Sequence, residues 1–137
     1  MKALVVHEFG KAIGGGDFLM LNVISALTNM NFNVTLAYSS TYKLLRSIAN
    51  LTMAPQKYIN MLSKCRLKEY KQLDRIPHPY STSLISHMVT RSDNYTMLVF
   101  SDDLPKVAKK YVSHNRNAKI IFCLLYTSDA ADDGESV

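Results

Sequence analysis

Apolar and polar positions change their period several times along the chain, and each change marks an element. Lys2 to Val6 is a short apolar run with β-branched residues, expected as a buried strand. His7 to Gly16 follows as a loop holding four of the five glycines. From Asp17 onward Phe18, Leu21, Ile24, Ala26 and Leu27 recur at about 3.6 residues, which predicts an amphipathic helix. Asn22, Ser25, Thr28 and Asn29 lie between them, and Asp17 is placed to cap the first turn. Asn29 to Asn33 breaks the helix, and Asn33 to Tyr38 (NVTLAY) reads as a second strand. Strand, glycine loop, helix and strand make a βαβ unit, which builds parallel sheets with right-handed crossovers.

Thr41 to Asn50 predicts a helix with Leu44, Leu45 and Ile48 on one side and Lys43 and Arg46 on the other. Leu51 to Gln56 is expected as a short strand. Lys57 to Leu73 is expected as a basic helix, ended by Pro77 and Pro79. Ser81 to Thr90 predicts another helix, with Leu84, Ile85, Met88 and Val89 as its buried face. Tyr95 to Phe100 is a strand, and Lys119 to Phe122 begins one more. Between them a helix is expected, with Pro105 in its first turn, Val107, Ala108, Tyr111 and Val112 inward, and Lys106, Lys109 and Lys110 outward. The fold class is therefore α/β: a Rossmann-like parallel sheet with helices on both faces.

Composition narrows the class. Of 137 residues, 47% are apolar and 20% charged, which excludes a disordered tail, a collagen-like rod and a coiled coil. No apolar run approaches the roughly 18 residues of a membrane span. His7 and Glu8 interrupt the first apolar run too early for a secretory signal, so the expected compartment is the cytoplasm. Two cysteines give neither a disulfide framework nor a metal spacing. The net charge is +5, unevenly spread: all 16 Lys and Arg precede residue 120, while four of the 11 acids follow residue 128.

The acidic tail has its own explanation. Back-translated, Cys123 to Asp132 (CLLYTSDAAD) resembles one reading frame of the transposase adapter used to prepare sequencing libraries. Residues 1–122 are thus expected as an incomplete domain and 123–137 as a non-native tail. Cys65 is then the one native cysteine, and with no nearby His pattern it is expected to be structural.

Gly14, Gly15 and Gly16 stand between a strand end and a helix start. Without side chains, backbone amides approach a ligand closely, and the helix N-terminus adds partial positive charge. Phosphate is the natural guest. The loop has no Lys where a Walker A loop needs one, and it lacks the Gly-x-Gly-x-x-Gly turn of a dinucleotide site. His7 and Glu8 lie at a strand end, where open α/β sheets place site residues, but they are expected as a solvent-exposed loop pair. Ser101, Asp102 and Asp103 sit at another strand end, as helix caps or as ligands to a sugar hydroxyl or metal. His78 and His114 are expected to be solvated, and His87 to be a core residue near an apolar helix face.

Several phrases in order carry a resemblance. KALVV, then IGGGD, then a helix, then NFNV leading into NVTL, and later SDNYTMLVFS and KIIF, resemble the first domain of family-four glycosyltransferases with the GT-B fold. The resemblance spans roughly residues 1–122. It implies a parent enzyme that moves a sugar from a nucleotide-sugar donor to a glycan or lipid-linked acceptor with retention. This domain would bind the acceptor, and its glycine loop would approach the donor diphosphate. Gly15 and Gly16 would line the phosphate side of the cleft, with Gly14 and Asp17 at its rim, while His7, Glu8, Ser101 and Asp102 would serve the substrate side. No metal and no cofactor are implied. The expected His after Lys119 to Phe122 is missing, as is the second domain with its paired glutamates, so the catalytic residues fall beyond residue 122 and the fragment alone is expected to be inactive.

Lys43, Arg46, Lys57, Lys64, Arg66, Lys68 and Lys71 are interleaved with Leu, Tyr, Met and Ile. Such a surface suits the anionic inner face of a membrane, at about 1 kcal/mol per cation, or is simply a solvated helix face. No nucleic-acid module is present, and no nucleic-acid partner is expected. The alternative function from another class is a stand-alone, non-catalytic, flavodoxin-like domain that holds a phosphorylated ligand.

Overall fold

The computed structural model describes residues 1–9, 15–51, 54–76, 80–89, 94–100 and 118–122. Among the described residues are five strands and four helices. They are β1 (Lys2–Val6), α1 (Gly15–Asn29), β2 (Asn33–Tyr38), α2 (Thr41–Leu51), α3 (Pro55–Leu62), β3 (Arg66–Glu69), α4 (Tyr80–Val89), β4 (Met97–Phe100) and β5 (Lys119–Phe122), with a 3-10 turn at Lys71–Leu73. The sheet is parallel throughout, in the order β3-β2-β1-β4-β5. This is the Rossmann order, distinct from the flavodoxin-like order in which the first strand sits between the second and third.

Alternate side chains of the strands feed two cores, as a pleated sheet covered on both faces requires. Ala3, Val5, Val34, Leu36, Tyr38 and Val99 pack against α1, α2 and α3 through Leu21, Ile24, Leu44, Ile48, Tyr58 and Leu62. Leu4, Val6, Ala37, Leu98 and Phe100 form the other core with Leu73, Tyr95 and Ile85 of α4.

The turn after α1 shows how sequence stops a helix. Asn31 adopts a left-handed φ of 65°. The Phe32 amide donates to Leu27 O at 3.0 Å and the Asn31 amide to Thr28 O at 3.1 Å. That is a Schellman close, and asparagine is among the few non-glycine residues that take its left-handed position readily.

Three expectations change. Leu51 to Gln56 is not a strand: Leu51 ends α2 and Pro55 opens α3, as proline at a first helical position should. Lys57 to Leu73 is not one helix: α3 ends at Leu62, and Arg66–Glu69 is an edge strand. RLKE has no apolar alternation to announce a strand. Its place comes from pairing with Thr35 to Tyr38 of β2, a tertiary gain that local pattern does not contain. Of the apolar helix positions, Phe18, Leu45, Leu84 and Met88 are exposed, because each helix meets the sheet along a stripe narrower than its apolar side. The side chain of Val89 and the helix expected around Pro105 lie outside the described residues.

Candidate functional site

In an open α/β sheet a ligand sits outside the carboxyl ends of the strands, where the strand order reverses. Here that point lies between β1 and β4. His7 and Glu8 follow β1 directly, and α1 begins beside them. Gly14, Ser101, Asp102 and Asp103 belong to the same edge by sequence but lie outside the described residues.

His7 and Glu8 are not the solvated pair that was expected. His7 is only 6% exposed. Its amide donates to Ala37 O at 3.2 Å, which carries the β1–β2 ladder one residue further. Its Nε2 lies 2.7 Å from Asp17 Oδ1, and Phe9 meets the ring edge-on at 4.6 Å. A carboxylate only accepts, so Nε2 is the donor in this bond. Nδ1 is buried and has no hydrogen-bond partner among the described residues.

Asp17 lies in the first turn of α1. It is buried rather than on a rim. Its Oδ2 accepts the Ser47 hydroxyl at 2.9 Å. One carboxylate thus ties the end of β1, the start of α1 and the middle of α2. The helix starts at Gly15, so Asp17 stands inside it rather than ahead of it as a cap.

Glu8 makes a second tie. Its Oε1 accepts the Ser39 amide at 2.9 Å and its Oε2 the Ser39 hydroxyl at 2.8 Å, joining the ends of β1 and β2. Asp74 Oδ1 lies 3.3 Å from the same hydroxyl, and the Lys43 ammonium donates to that oxygen at 2.8 Å. Lys43 therefore offsets the second carboxylate at this edge.

The two helix N-termini at this edge differ. That of α2 is closed by its own chain. Ser40 Oγ accepts the Lys43 amide at 3.2 Å, as an N-cap serine does, and Glu69 Oε2 accepts the Thr41 amide at 2.6 Å. The Thr41 amide holds the Glu69 carboxyl below the ordinary carboxylate range, with the Thr41 side chain assisting. α1 instead opens on two glycines, Gly15 and Gly16. A Cβ built on Gly16 meets nothing within 4 Å, so packing does not demand glycine there. Gly15 is the first residue of the same helix.

The basic residues are divided among several places. Lys43 is held by Asp74. Arg46 lies over the Tyr42 ring at 5.8 Å and Lys57 over Tyr58 at 5.7 Å. Lys64 and Arg66 line a groove at the opposite edge of the sheet. Lys68 is half-buried on β3 and Lys71 is exposed in the 3-10 turn. His87 is exposed, a correction to its expected core position, because its helix turns Ile85 and Ser81 inward instead. His78 and His114 lie outside the described residues. Burial pushes the Cys65 thiol pKa up, which leaves little thiolate at neutral pH and fits a structural residue. Among the described residues no cluster of three His, Cys, Asp or Glu side chains could hold a metal ion. Among them, too, no helix is long and apolar enough to cross a membrane.

Sequence reasoning pointed to the His7-Glu8 strand end and to the glycine loop, of which residues 10–14 lie outside the described residues. It missed Ser39, Ser47 and Asp74, which reach the site only through the tertiary fold and carry no motif. No protein-family model, curated protein or solved structure matches the chain.

Proposed function

We propose that this chain is the acceptor-side, Rossmann-like half of a GT-B glycosyltransferase, whose parent transfers a sugar from a nucleotide-sugar donor with retention. One observation carries the proposal: α1 opens on Gly15 and Gly16 at the strand-order reversal, whereas the N-terminus of α2 is closed by Ser40 and Glu69. Departure of the nucleotide develops negative charge on a diphosphate. Fixed amides aimed at that charge stabilise it without reorganising. The Asp17 bonds to His7 and Ser47 hold those amides in place. Cations and paired glutamates from a second domain would complete the site, with no metal required. The acceptor is a glycan or a lipid-linked sugar at the cytoplasmic face of a membrane, to which the cations of α2, α3 and β3 would lend a peripheral contact.

The strand order argues against flavodoxin-like architecture for the alternative reading. The test is the genomic frame past codon 122. Continuation into a His-containing strand end and a second domain with paired glutamates is expected. A genomic frame that encodes residues 123–137 and then stops would overturn the proposal.

A further inference from the structure

The sheet has a second charged feature, at the end away from the glycine loop. A groove of about 240 Å³ is lined by Lys2, Asn33, Val34, Thr35, Lys64 and Arg66. All belong to the starts of β1, β2 and β3 or to the turn before β3. Three of the six carry positive charge and none is acidic. We infer that this groove binds a phosphate group, as a second anion site independent of the glycosyltransferase reading.

The register explains why the cations converge. Side chains alternate across a strand, so Lys2 shares its face with Leu4 and Val6, the face covered by α4. Lys2 pairs with Asn33, and Thr35 pairs with Arg66, which places all four on that face. Higher on it, Leu4, Val6 and Ala37 are buried with Ile85 and Leu73. Below, Lys2, Asn33, Lys64 and Arg66 are exposed while Thr35 is buried. The groove is thus the uncovered foot of this face, with Thr35 deep within it.

Chemistry then selects the guest. A guanidinium offers a planar pair of donors that fits two oxygens of one phosphate, and lysines add point charges. At roughly 30 Å³ per water, the volume holds about eight waters, enough for a phosphate and part of what bears it. A soluble phosphorylated molecule and a lipid headgroup offer the same oxygens, and the test separates them.

The whole chain, isotopically labelled, is titrated with pyrophosphate while backbone amides are followed by NMR. In parallel it is sedimented with phosphatidylcholine vesicles, with and without phosphatidylglycerol. The expected result is saturable shifts at Thr35 and Arg66, binding to the anionic vesicles that these residues support, or both. Lys64→Gln/Arg66→Gln should weaken the response by about tenfold or more. Arg75→Gln, which removes an exposed cation outside the groove, should leave it unchanged. Added salt should weaken it, because exposed charges are screened. Pyrophosphate shifts without vesicle binding assign a soluble ligand, and vesicle binding without pyrophosphate shifts assigns a headgroup. The inference is overturned if neither probe binds at the groove, or if Lys64→Gln/Arg66→Gln binds as tightly as the parent. Shifts confined to Gly15–Phe18 would overturn it while leaving the glycine-loop site standing, and shifts confined to the groove would do the reverse. The substituted side chains are exposed, so the variants should fold, with melting curves as the check.

Discussion

Asp17→Asn is the sharpest perturbation of the candidate site. The Asp17 carboxylate is buried and accepts hydrogen bonds from His7 Nε2 at 2.7 Å and from Ser47 Oγ at 2.9 Å. Asparagine has nearly the same shape but only one accepting oxygen. Its amide group must face one of the two partners, so the bond on that side reverses, with Ser47 Oγ or the imidazole as acceptor, and both bonds lose the charge that strengthened them. A hydrogen bond to a charged group contributes about 1.5–3 kcal/mol, and a buried group left unpaired costs about 1–3 kcal/mol. The site also loses the cost of burying a charge, which offsets part of this. A net loss of about 1–2 kcal/mol follows from exchanging charged for neutral hydrogen bonds, a large share of the ~5–15 kcal/mol that holds a typical domain together. Ser47→Ala removes only one partner and should cost about 1 kcal/mol. The assay is guanidinium unfolding of the parent and variants, with the midpoint shift read at constant slope. A double-mutant cycle with His7→Gln should give a coupling of about 1–3 kcal/mol, as contacting residues do. A loss under about 0.5 kcal/mol for Asp17→Asn, the size of an ordinary surface change, would refute the claim that this carboxylate anchors α1 to β1 and α2.

Other outcomes follow from single positions. Asn31→Ala should destabilise by about 1 kcal/mol, because its φ of 65° is left-handed, while Asn31→Gly should be neutral or slightly stabilising; thermal melts of both decide it. Gly16→Ala should keep or raise the melting temperature, since its Cβ meets nothing and glycine costs a helix up to about 1 kcal/mol, yet it should weaken nucleoside diphosphate binding measured by calorimetry. Glu69 has a folded pKa below its unfolded value. Its contribution is therefore present above about pH 4.3 and is lost as pH falls through the lower, folded pKa. The group is exposed, so that contribution is small and screened, and Glu69→Gln should only slightly flatten the acid limb of a stability-against-pH curve.

What the chain reveals before folding depends on how local each cause is. β1, α1 and β2 are legible because an apolar run, a helical period and a glycine loop each leave a local mark. The stop at Asn31 is legible as a cluster of asparagines, although the particular left-handed residue is not. β3 is not legible: Arg66–Glu69 is half-exposed at an edge and is held by the ladder to β2. The glycine loop and His7-Glu8 were visible as a site by position. The burial of His7 and the ties of Glu8 were not, because they need Asp17, Ser39 and Ser47 brought in from other elements. The helix caps divide likewise. Ser40 ahead of Thr41 is a local signal, whereas Glu69 closing the same helix comes from 28 residues away.

The most direct test of the central claim is an NMR titration of the labelled chain with uridine diphosphate and guanosine diphosphate. Saturable shifts of the Gly15–Phe18 amides, weakened in Gly16→Ala, are the expected result. If neither nucleotide moves those amides while the sheet remains folded, the N-terminus of α1 is not a diphosphate site and the glycosyltransferase reading loses its support.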